Sequence, residues 1–265
     1  MNEELIRKDL HTERLGQRLE LFDVIPYSTN IRVRELLESG AADGVCVIAD
    51  IQQHGRGRSG RSWSSGASGE SIAMSVALPA LACQGNPAAV TLIGALAVRD
   101  AVASFGPEPD AVTIKWPNDI LVRGRKVCGI LTELVSIAGV FRLIMGIGVN
   151  VAQTAFPEEL AAKATSLASE GIRVTQEKLS AAILNRLEEG FEDFCRSGFE
   201  SRRGEYESRL VCLNSEIEII DPASVIRGIC RGVSGSGEIL IERDGEVLAR
   251  SSGEVSIRGD FYGKE

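Results

Sequence analysis

The chain has 265 residues, of which 44% are hydrophobic and 25% charged, and its formal net charge is −8 at pH 7. This length allows one sizeable core with a small second domain, the composition is typical of a soluble globular protein, and the acidic charge argues against non-specific nucleic-acid binding. The sequence has neither an apolar run of transmembrane length nor a signal-peptide core, so we expect a cytoplasmic protein without a membrane partner. Its six cysteines show no Cys-x-x-Cys spacing, which favours buried thiols over a zinc site.

Two elements are predicted before residue 41. Residues 1–20 are polar with a short apolar pattern, and they predict a small helix or hairpin that leads into the main domain. A helix begins at Ser28-Thr29-Asn30, with Thr29 or Asn30 as its cap, and ends at Gly40. Helix capping alone would explain such a triplet, so the triplet by itself does not indicate a ligand.

Two predicted strands, a β-branched run at 45–51 and an alternating run at 71–78, enclose a loop rich in glycine and arginine. The loop reads Gln52-Gln53-His54-Gly55-Arg56-Gly57-Arg58-Ser59-Gly60-Arg61-Ser62-Trp63. Glycine lets the backbone approach a ligand, N–H and guanidinium groups bind anions, and the indole offers a flat face to a planar ring. The loop therefore predicts a nucleotide site, although it has neither the Walker nor the Rossmann glycine spacing.

The second half of the chain predicts further scaffold elements. They are a helix within 83–111 that Asn86 caps and Pro87 begins, a strand at 112–115, a strand from Lys126 to Val135, a strand at 140–151, an amphipathic helix at 175–196, and from residue 211 short strands with tight turns at 234–237 and 243–245. The face of the 175–196 helix that carries Arg186, Glu188 and Glu192 is expected to be solvated. Short strands with tight turns predict a small C-terminal β-barrel.

Polar residues stand at the ends of several of these strands. The strand at 112–115 runs into Lys115-Trp116-Pro117-Asn118-Asp119, where Asn118 and Asp119 can either bond their own turn or face a nucleotide. Lys126 can either extend to solvent or meet an anion. Asn150 can either contact adenine or ribose or be a plain turn residue, whereas Trp116 is expected to be core or wall.

Several motifs in order resemble the biotin protein ligases, also known as biotin–[acetyl-CoA-carboxylase] ligases. The motifs are Ser28-Thr29-Asn30, the loop Gly55 to Trp63, Lys115-Trp116-Pro117-Asn118-Asp119, Lys126-Val127-Cys128-Gly129-Ile130-Leu131, Gly146-Ile147-Gly148-Val149-Asn150 and Gly253-Glu254-Val255-Ser256-Ile257-Arg258. The resemblance implies an α+β fold, in which a mixed central sheet with flanking helices (the biotin/lipoate ligase catalytic fold) is followed by a small SH3-like β-barrel. It divides the chain into a lead-in segment at 1–20, a catalytic biotin- and ATP-binding domain at 21–210 and the barrel at 211–265.

The resemblance also implies an activity. Such an enzyme uses ATP to ligate biotin to a lysine of a biotin carboxyl carrier protein domain, through biotinyl-5′-AMP and with Mg²⁺. Because a helix-turn-helix does not fit before Ser28, the chain resembles the short form of the family, and no nucleic-acid partner is expected. Family members often pair through the central sheet, so a homodimer is compatible with the resemblance.

The family's site residues map onto this sequence position by position. Biotin is expected against Ser28, Thr29, Asn30, Gln52, Gly55, Arg56, Gly57, Arg58 and Lys126. ATP or the adenylate is expected against Arg56, Arg58, Arg61, Trp63, Lys115, Asn118, Asp119, Asn150 and Arg258. The resemblance makes Lys126, Arg58 and Lys115 the catalytic residues, and it makes Asp119 the magnesium ligand.

Two other functions are alternatives to biotin ligation. A lipoate or octanoate transfer enzyme would have a related fold, but those families lack the glycine- and arginine-rich loop. A biotin-sensing regulator would need no adenylation residues, whereas Lys115, Asp119 and Lys126 are all present. The sequence therefore favours a ligase.

Overall fold

A computed structural model describes residues 1–79, 87–106, 108–221, 224–251 and 254–257. The helices are α1 (Glu3–Asp9), α2 (Thr29–Glu38), α3 (Pro87–Ala103), α4 (Glu158–Ala161), α5 (Gln176–Ser197) and α6 (Glu200–Arg209). The strands are β1 (Leu19–Ile25), β2 (Cys46–Gln52), β3 (Gly55–Arg56), β4 (Ser62–Trp63), β5 (Ser71–Leu78), β6 (Val112–Lys115), β7 (Asp119–Val122), β8 (Arg125–Ile137), β9 (Val140–Asn150), β10 (Glu216–Asp221), β11 (Ser224–Val233), β12 (Ile239–Arg243), β13 (Glu246–Arg250) and β14 (Glu254–Ile257). Three residues to which the sequence assigned roles lie outside these ranges. They are the predicted cap Asn86, the predicted adenylate-binding residue Arg258, and Cys83, which is one of the six cysteines.

A seven-stranded mixed sheet in the order β1-β2-β5-β9-β8-β7-β6 forms the centre of the molecule. The β1–β2 pair is parallel and the other neighbours are antiparallel. Helices cover both faces of the central strands, so all eight residues of β5 are buried. Met74 and Val76 pack into the large core with α3 and α5, and Ala77 packs beside α2 on the other face. The strand predicted at 71–78 is therefore confirmed, and both of its faces are buried although an alternating pattern is more typical of a strand with one wet face.

The N-terminal segment packs into this core as a helix followed by a turn. Asn2 caps α1 by accepting the Glu4 N–H at 2.9 Å, and Leu15 is buried against α5. Glu188 on α5 accepts the N–H groups of Arg14 at 2.9 Å and Leu15 at 2.7 Å. The expectation of a solvated Glu188 was wrong, because the carboxylate satisfies backbone donors that the turn leaves open.

The first residue of the Ser28-Thr29-Asn30 triplet caps α2. The Ser28 hydroxyl oxygen accepts the Asn30 N–H at 3.3 Å, and Ser28 itself has extended backbone angles. Capping was expected from Thr29 or Asn30 instead, and that expectation was wrong by one or two positions. Because Ser28 does the capping, the side chains of Thr29 and Asn30 are available to turn towards the sheet.

The C-terminal part forms a second, five-stranded antiparallel sheet in the order β13-β12-β11-β10-β14. The turns predicted at 234–237 and 243–245 join β11 to β12 and β12 to β13, as expected. The ladder does not close β13 onto β14 within the described residues. The Trp116 indole N–H donates to the Gly237 carbonyl at 3.0 Å, so this sheet contacts the central one. A boundary near residue 210 remains a prediction.

None of the helices in the described part of the chain is long and apolar enough to cross a membrane.

Asp50, at the end of β2, joins the segment after the arginine-rich loop to α5. Its buried carboxylate accepts from the Ser68 hydroxyl at 2.5 Å, the Gly69 N–H at 2.9 Å and the Gln176 amide at 2.8 Å. Burial acts to raise the pKa of Asp50, but these three hydrogen bonds outweigh it and lower the pKa below the ordinary 3.8. The ionised form is therefore the one that stabilises the fold.

We predict that Asp50→Asn lowers the free energy of unfolding by about 1–3 kcal/mol at neutral pH. A depressed folded-state pKa gives stability that is present above the unfolded pKa and lost as pH falls through the folded one. The difference between parent and variant should therefore narrow below about pH 4 in urea titrations. Asp244→Asn, in an exposed turn, is the matched control and should change little. A difference in unfolding free energy between parent and variant that stays constant down to acid pH would contradict this account.

Candidate active site

A cavity of about 570 Å³ opens over the middle of the central sheet, beneath the arginine-rich loop. Thirteen of the residues expected at the site line it, namely Ser28, Thr29, Asn30, Gln52, Arg56, Gly57, Arg58, Arg61, Trp63, Lys115, Asn118, Asp119 and Lys126. The fold thus brings together motifs that are up to 98 positions apart in the chain, from Ser28 to Lys126. Ile220 of β10 also lines the cavity, so the C-terminal sheet contributes to its wall.

The inner end of the cavity carries a buried chain of hydrogen bonds. Gln52 Oε1 accepts the Thr29 N–H at 2.7 Å, and the Thr29 hydroxyl lies 2.6 Å from the Ser75 hydroxyl. Ser75 in turn donates to Asn30 Oδ1 at 2.5 Å. These hydroxyl and amide groups form a fixed polar surface, because each is held by another buried group.

Glu133, on β8, continues this chain to the loop. Its Oε2 accepts from Asn30 Nδ2 at 2.7 Å, and its Oε1 pairs with Arg56 Nη2 at 3.0 Å. Sequence reasoning missed both Glu133 and Ser75. The available signal was a carboxylate and a hydroxyl placed inside otherwise apolar strands, where a polar side chain requires a partner.

The outer part of the cavity holds most of its charge. Lys126 Nζ pairs with Asp119 Oδ1 at 2.7 Å across the β7–β8 pair. Arg58 Nη1 donates to Asn118 Oδ1 at 3.0 Å, and Asn118 Nδ2 donates to the Ile130 carbonyl at 2.9 Å. These contacts hold two cations beside the turn that follows β6.

Among the residues that the structure describes, five cations and one carboxylate line the cavity. The cations are Arg56, Arg58, Arg61, Lys115 and Lys126, and the carboxylate is Asp119. Such an excess of positive charge in a protein of net charge −8 suits a compact polyanionic ligand. Among the described residues, no group of three or more His, Cys, Asp or Glu residues could hold a metal ion alone. A metal bound here would need ligand atoms from the substrate as well as from Asp119.

The arginine-rich loop folds as a small hairpin rather than as an open loop. β3 pairs with β4, and Gly57 N–H donates to the Arg61 carbonyl at 2.7 Å. The half-buried indole of Trp63 lies flat against β8 and β9. A Cβ atom at Gly148 would lie 2.4 Å from Trp63 Cε2, and one at Gly129 would lie 3.3 Å from Trp63 Cζ3. A side chain at Gly148 would therefore displace the ring, whereas one at Gly129 would only crowd it.

Among the described residues, two of those expected at the site, Gly55 and Asn150, do not line the cavity. Gly55 belongs to the hairpin, where a Cβ would lie 2.4 Å from the Trp63 carbonyl oxygen, so a side chain does not fit there, and its contact with biotin stays a prediction. Asn150 is the last residue of β9, and its buried side-chain amide donates to the Thr165 carbonyl at 3.1 Å, so its contact with adenine or ribose stays a prediction. Arg258 lies outside the described residues. Trp116, expected as core or wall, is 2% exposed and lines the cavity.

Comparisons with known proteins agree on one family. A family model described as Biotin/lipoate A/B protein ligase family matches residues 21–150. The bifunctional ligase/repressor BirA of Bacillus spizizenii is 35% identical over 263 residues, which cover 97% of this chain and 79% of that protein. The biotin–[acetyl-CoA-carboxylase] ligase of Mycobacterium tuberculosis is 33% identical, and the match covers 86% of this chain and 85% of that protein.

A solved structure shows the same fold. The biotin protein ligase from Aquifex aeolicus in complex with biotin and ATP superposes with a TM-score of 0.79 at 30% sequence identity. The superposition covers 91% of this chain and 99% of that one.

We predict that Gly148→Ala moves the Trp63 ring off the sheet, because the added methyl group cannot share its space. The change in unfolding free energy should stay below about 2 kcal/mol, since the exposed hairpin can give way. The emission of Trp63, read against a Trp63→Phe reference, should shift to longer wavelength. Gly204→Ala on α6, where a Cβ meets open space, should leave the emission unchanged. An unchanged spectrum in Gly148→Ala would contradict the packing described.

Proposed function

Because the chain belongs to the biotin/lipoate A/B protein ligase family, we propose that it ligates biotin to a lysine of a biotin carboxyl carrier protein, through biotinyl-5′-AMP. The observation that carries this assignment is one cavity that combines a polar inner end, where Arg56 balances Glu133, with four further cations in its lining, namely Arg58, Arg61, Lys115 and Lys126. The inner end suits the ureido ring of biotin, which has one carbonyl and two N–H groups. The cations suit the carboxylate of biotin and the phosphates of ATP.

In the first step the biotin carboxylate attacks the α-phosphorus of ATP, and pyrophosphate leaves. Both reactants are anions, so the protein must offset their repulsion and position them. Lys126, Arg58 and Lys115 all line the cavity, where their positive charges can offset this repulsion. This role requires no protein nucleophile, because biotin itself supplies the attacking oxygen.

Lys126 has a carboxylate partner in Asp119, and the pair is 34% and 21% exposed on its two side chains. The salt bridge holds the ammonium group in place, and anionic substrates can compete with Asp119 for it. Lys126 would then bridge the biotin carboxylate and the α-phosphate, and Asp119 would be released to face the metal.

Asp119 and the phosphates of ATP could together bind a magnesium ion in this site. Mg²⁺ commonly binds one or two carboxylates together with substrate phosphates, and Asp119 is the one carboxylate among the lining residues described. When bound with ATP, the ion would neutralise phosphate charge. We propose Asp119 as its protein ligand.

The hairpin of the arginine-rich loop would retain the adenylate. Biotinyl-5′-AMP is a mixed anhydride that water hydrolyses, so it must stay shielded until the carrier lysine arrives. Arg56, Arg58 and Arg61 project from this hairpin into the cavity, and Trp63 offers its ring near the position proposed for adenine. In the second step the carrier lysine attacks the acyl carbon and AMP leaves.

We propose the carrier domain of acetyl-CoA carboxylase as the protein substrate, because two relatives are named biotin–[acetyl-CoA-carboxylase] ligase. We further propose a cytoplasmic reaction and no nucleic-acid partner, because a net charge of −8 opposes binding to a polyanion. β1 is at the edge of the central sheet among the described strands, and a homodimer through that sheet is part of the same proposal.

The decisive assay measures formation of labelled adenylate from radiolabelled ATP, with biotin, lipoate and octanoate as parallel substrates. We expect adenylate with biotin alone, and transfer to a carrier domain when one is added. If adenylate formed only with lipoate or only with octanoate, that acid and not biotin would be the substrate. Tight biotin binding without adenylate from any acid would favour a sensor.

We predict that Lys126→Ala lowers the rate of biotin-dependent adenylate formation by at least about 100-fold, because the two anions lose their shared cation. Pyrophosphate exchange checks this directly. Lys178→Ala removes an exposed lysine of α5 and should keep the parent rate. Undiminished exchange by Lys126→Ala would leave Lys126 as a surface lysine paired with Asp119.

Arg58→Gly should leave the fold intact and speed release of the adenylate by about tenfold or more, because the hairpin loses a charged contact to its ligand and to Asn118. Retention of labelled adenylate on a filter measures this, and labelling of a bystander protein reports escape. Arg173→Gly, at an exposed position outside the cavity, is the control. Equal retention by the parent and by Arg58→Gly would show that Arg58 does not help the hairpin to hold the adenylate.

A further inference from the structure

We infer that Glu133 is a positioning residue that fixes the direction of the hydrogen-bond chain at the inner end of the cavity. By doing so it determines which polar atoms are presented to the ureido ring. This inference rests on the proposed function. Glu133 is not among the residues that line the cavity, so it acts through Asn30 and Arg56, which are.

The position of Glu133 gives each of its oxygens a separate task. Oε2 accepts from Asn30 Nδ2 at 2.7 Å, and Oε1 pairs with Arg56 Nη2 at 3.0 Å. The side chain is 25% exposed, so the charge is partly desolvated and the two contacts matter to it. An ionised carboxylate can only accept hydrogen bonds, so Asn30 must turn its NH₂ group towards Glu133.

Once Asn30 has this orientation, the number of available hydrogens fixes the donor and the acceptor at every other step of the hydrogen-bond chain. With its NH₂ group on Glu133 and the Leu131 carbonyl, Asn30 presents Oδ1 to Ser75, which spends its one hydroxyl hydrogen there. Ser75 must then accept at its 2.6 Å contact with Thr29, so the Thr29 hydrogen is spent on Ser75. The Thr29 hydroxyl also lies 3.1 Å from Gln52 Oε1, and that longer contact is left without a hydrogen.

The result is a one-way chain that runs from Thr29 to Ser75 to Asn30 to Glu133. Gln52 Oε1 is occupied by the Thr29 backbone N–H at 2.7 Å, which leaves the Gln52 NH₂ group to donate. The hydroxyl oxygens keep lone pairs free to accept. A ureido ring has one acceptor oxygen and two donor nitrogens, so it matches this presentation. Reversal of the Asn30 amide would reverse both hydroxyls and spoil the match.

Glu133 also ties the hairpin to the same chain. Arg56 belongs to the hairpin and pairs with the second oxygen of Glu133. Ligand binding at the inner end and the position of the hairpin therefore both depend on Glu133. Gly146 makes room for this arrangement, since a Cβ there would lie 2.3 Å from Asn30 Oδ1. The chain is thus built into the sheet and not only into the loop.

The test is Glu133→Gln, which keeps the shape and removes the charge. The new amide has one accepting oxygen, so it must either lose Arg56 or face Asn30 with its own NH₂ group. We expect the biotin Kd and KM to rise by roughly tenfold to a hundredfold, with the KM for ATP within about twofold of the parent. Asp43→Asn, which breaks the Arg142–Asp43 ion pair of 3.0 Å elsewhere on the sheet, is the matched control and should leave both KM values unchanged.

A charge-shifted double variant separates positioning from simple structural damage. When Asn30→Asp is combined with Glu133→Gln, the new carboxylate can accept from Ser75 and from the new amide, whose oxygen can accept from Arg56, and only the 3.4 Å contact of residue 30 with the Leu131 carbonyl is lost. The double variant should therefore recover biotin affinity to within about fivefold of the parent, with the same melting temperature as the Asp43→Asn control.

Two outcomes would overturn the inference. The first is a Glu133→Gln enzyme whose biotin KM stays within about twofold of the parent. The second is a double variant that binds biotin no better than the single one. Both leave the proposed function intact as long as the parent forms biotin-dependent adenylate. A parent that forms no adenylate would instead reject the proposed function.

Discussion

The close approach of the arginine-rich hairpin to the sheet depends on positions in β8 and β9 that carry no side chain. Gly148 and Gly129 accommodate the Trp63 ring, and Gly146 accommodates the Asn30 amide. A methyl group at Gly146 or Gly148 would fall within 2.4 Å of its neighbour, which is far inside van der Waals contact. Because these glycines lie on adjacent antiparallel strands, one short patch of bare backbone forms the floor for both the polar inner end and the ring.

Electrostatics then divides the cavity into two regions. The inner end is neutral apart from Glu133, which Arg56 balances, and it presents oriented dipoles. The outer region contains Arg58, Arg61, Lys115 and Lys126, and Lys126 pairs with Asp119. A ligand with a neutral ring at one end and an anion at the other fits this division, because each end meets groups of complementary charge. A cavity of uniform charge would not orient such a ligand.

The two ends of the described chain both support this cavity from outside the central sheet. Glu188 holds the turn after α1 through backbone N–H groups, and this turn packs on the helix that underlies β5. On the other side, Trp116 lines the cavity with its ring and donates its indole N–H to Gly237 of the C-terminal sheet. A shift of that sheet would therefore be felt at the wall of the cavity.

The sequence by itself determined the residue types of the site and most of the elements that carry them, because glycine spacing, strand runs and turn residues act over a few positions. It also determined the family, since the motifs occur in order. Only the tertiary structure revealed Ser75 and Glu133, showed that Asn150 bonds Thr165, and made β5 a strand buried on both faces. Those facts depend on which strands become neighbours. Partners distant in the chain leave no local pattern, because a hydroxyl or carboxylate inside an apolar strand has no visible partner until the sheet is assembled.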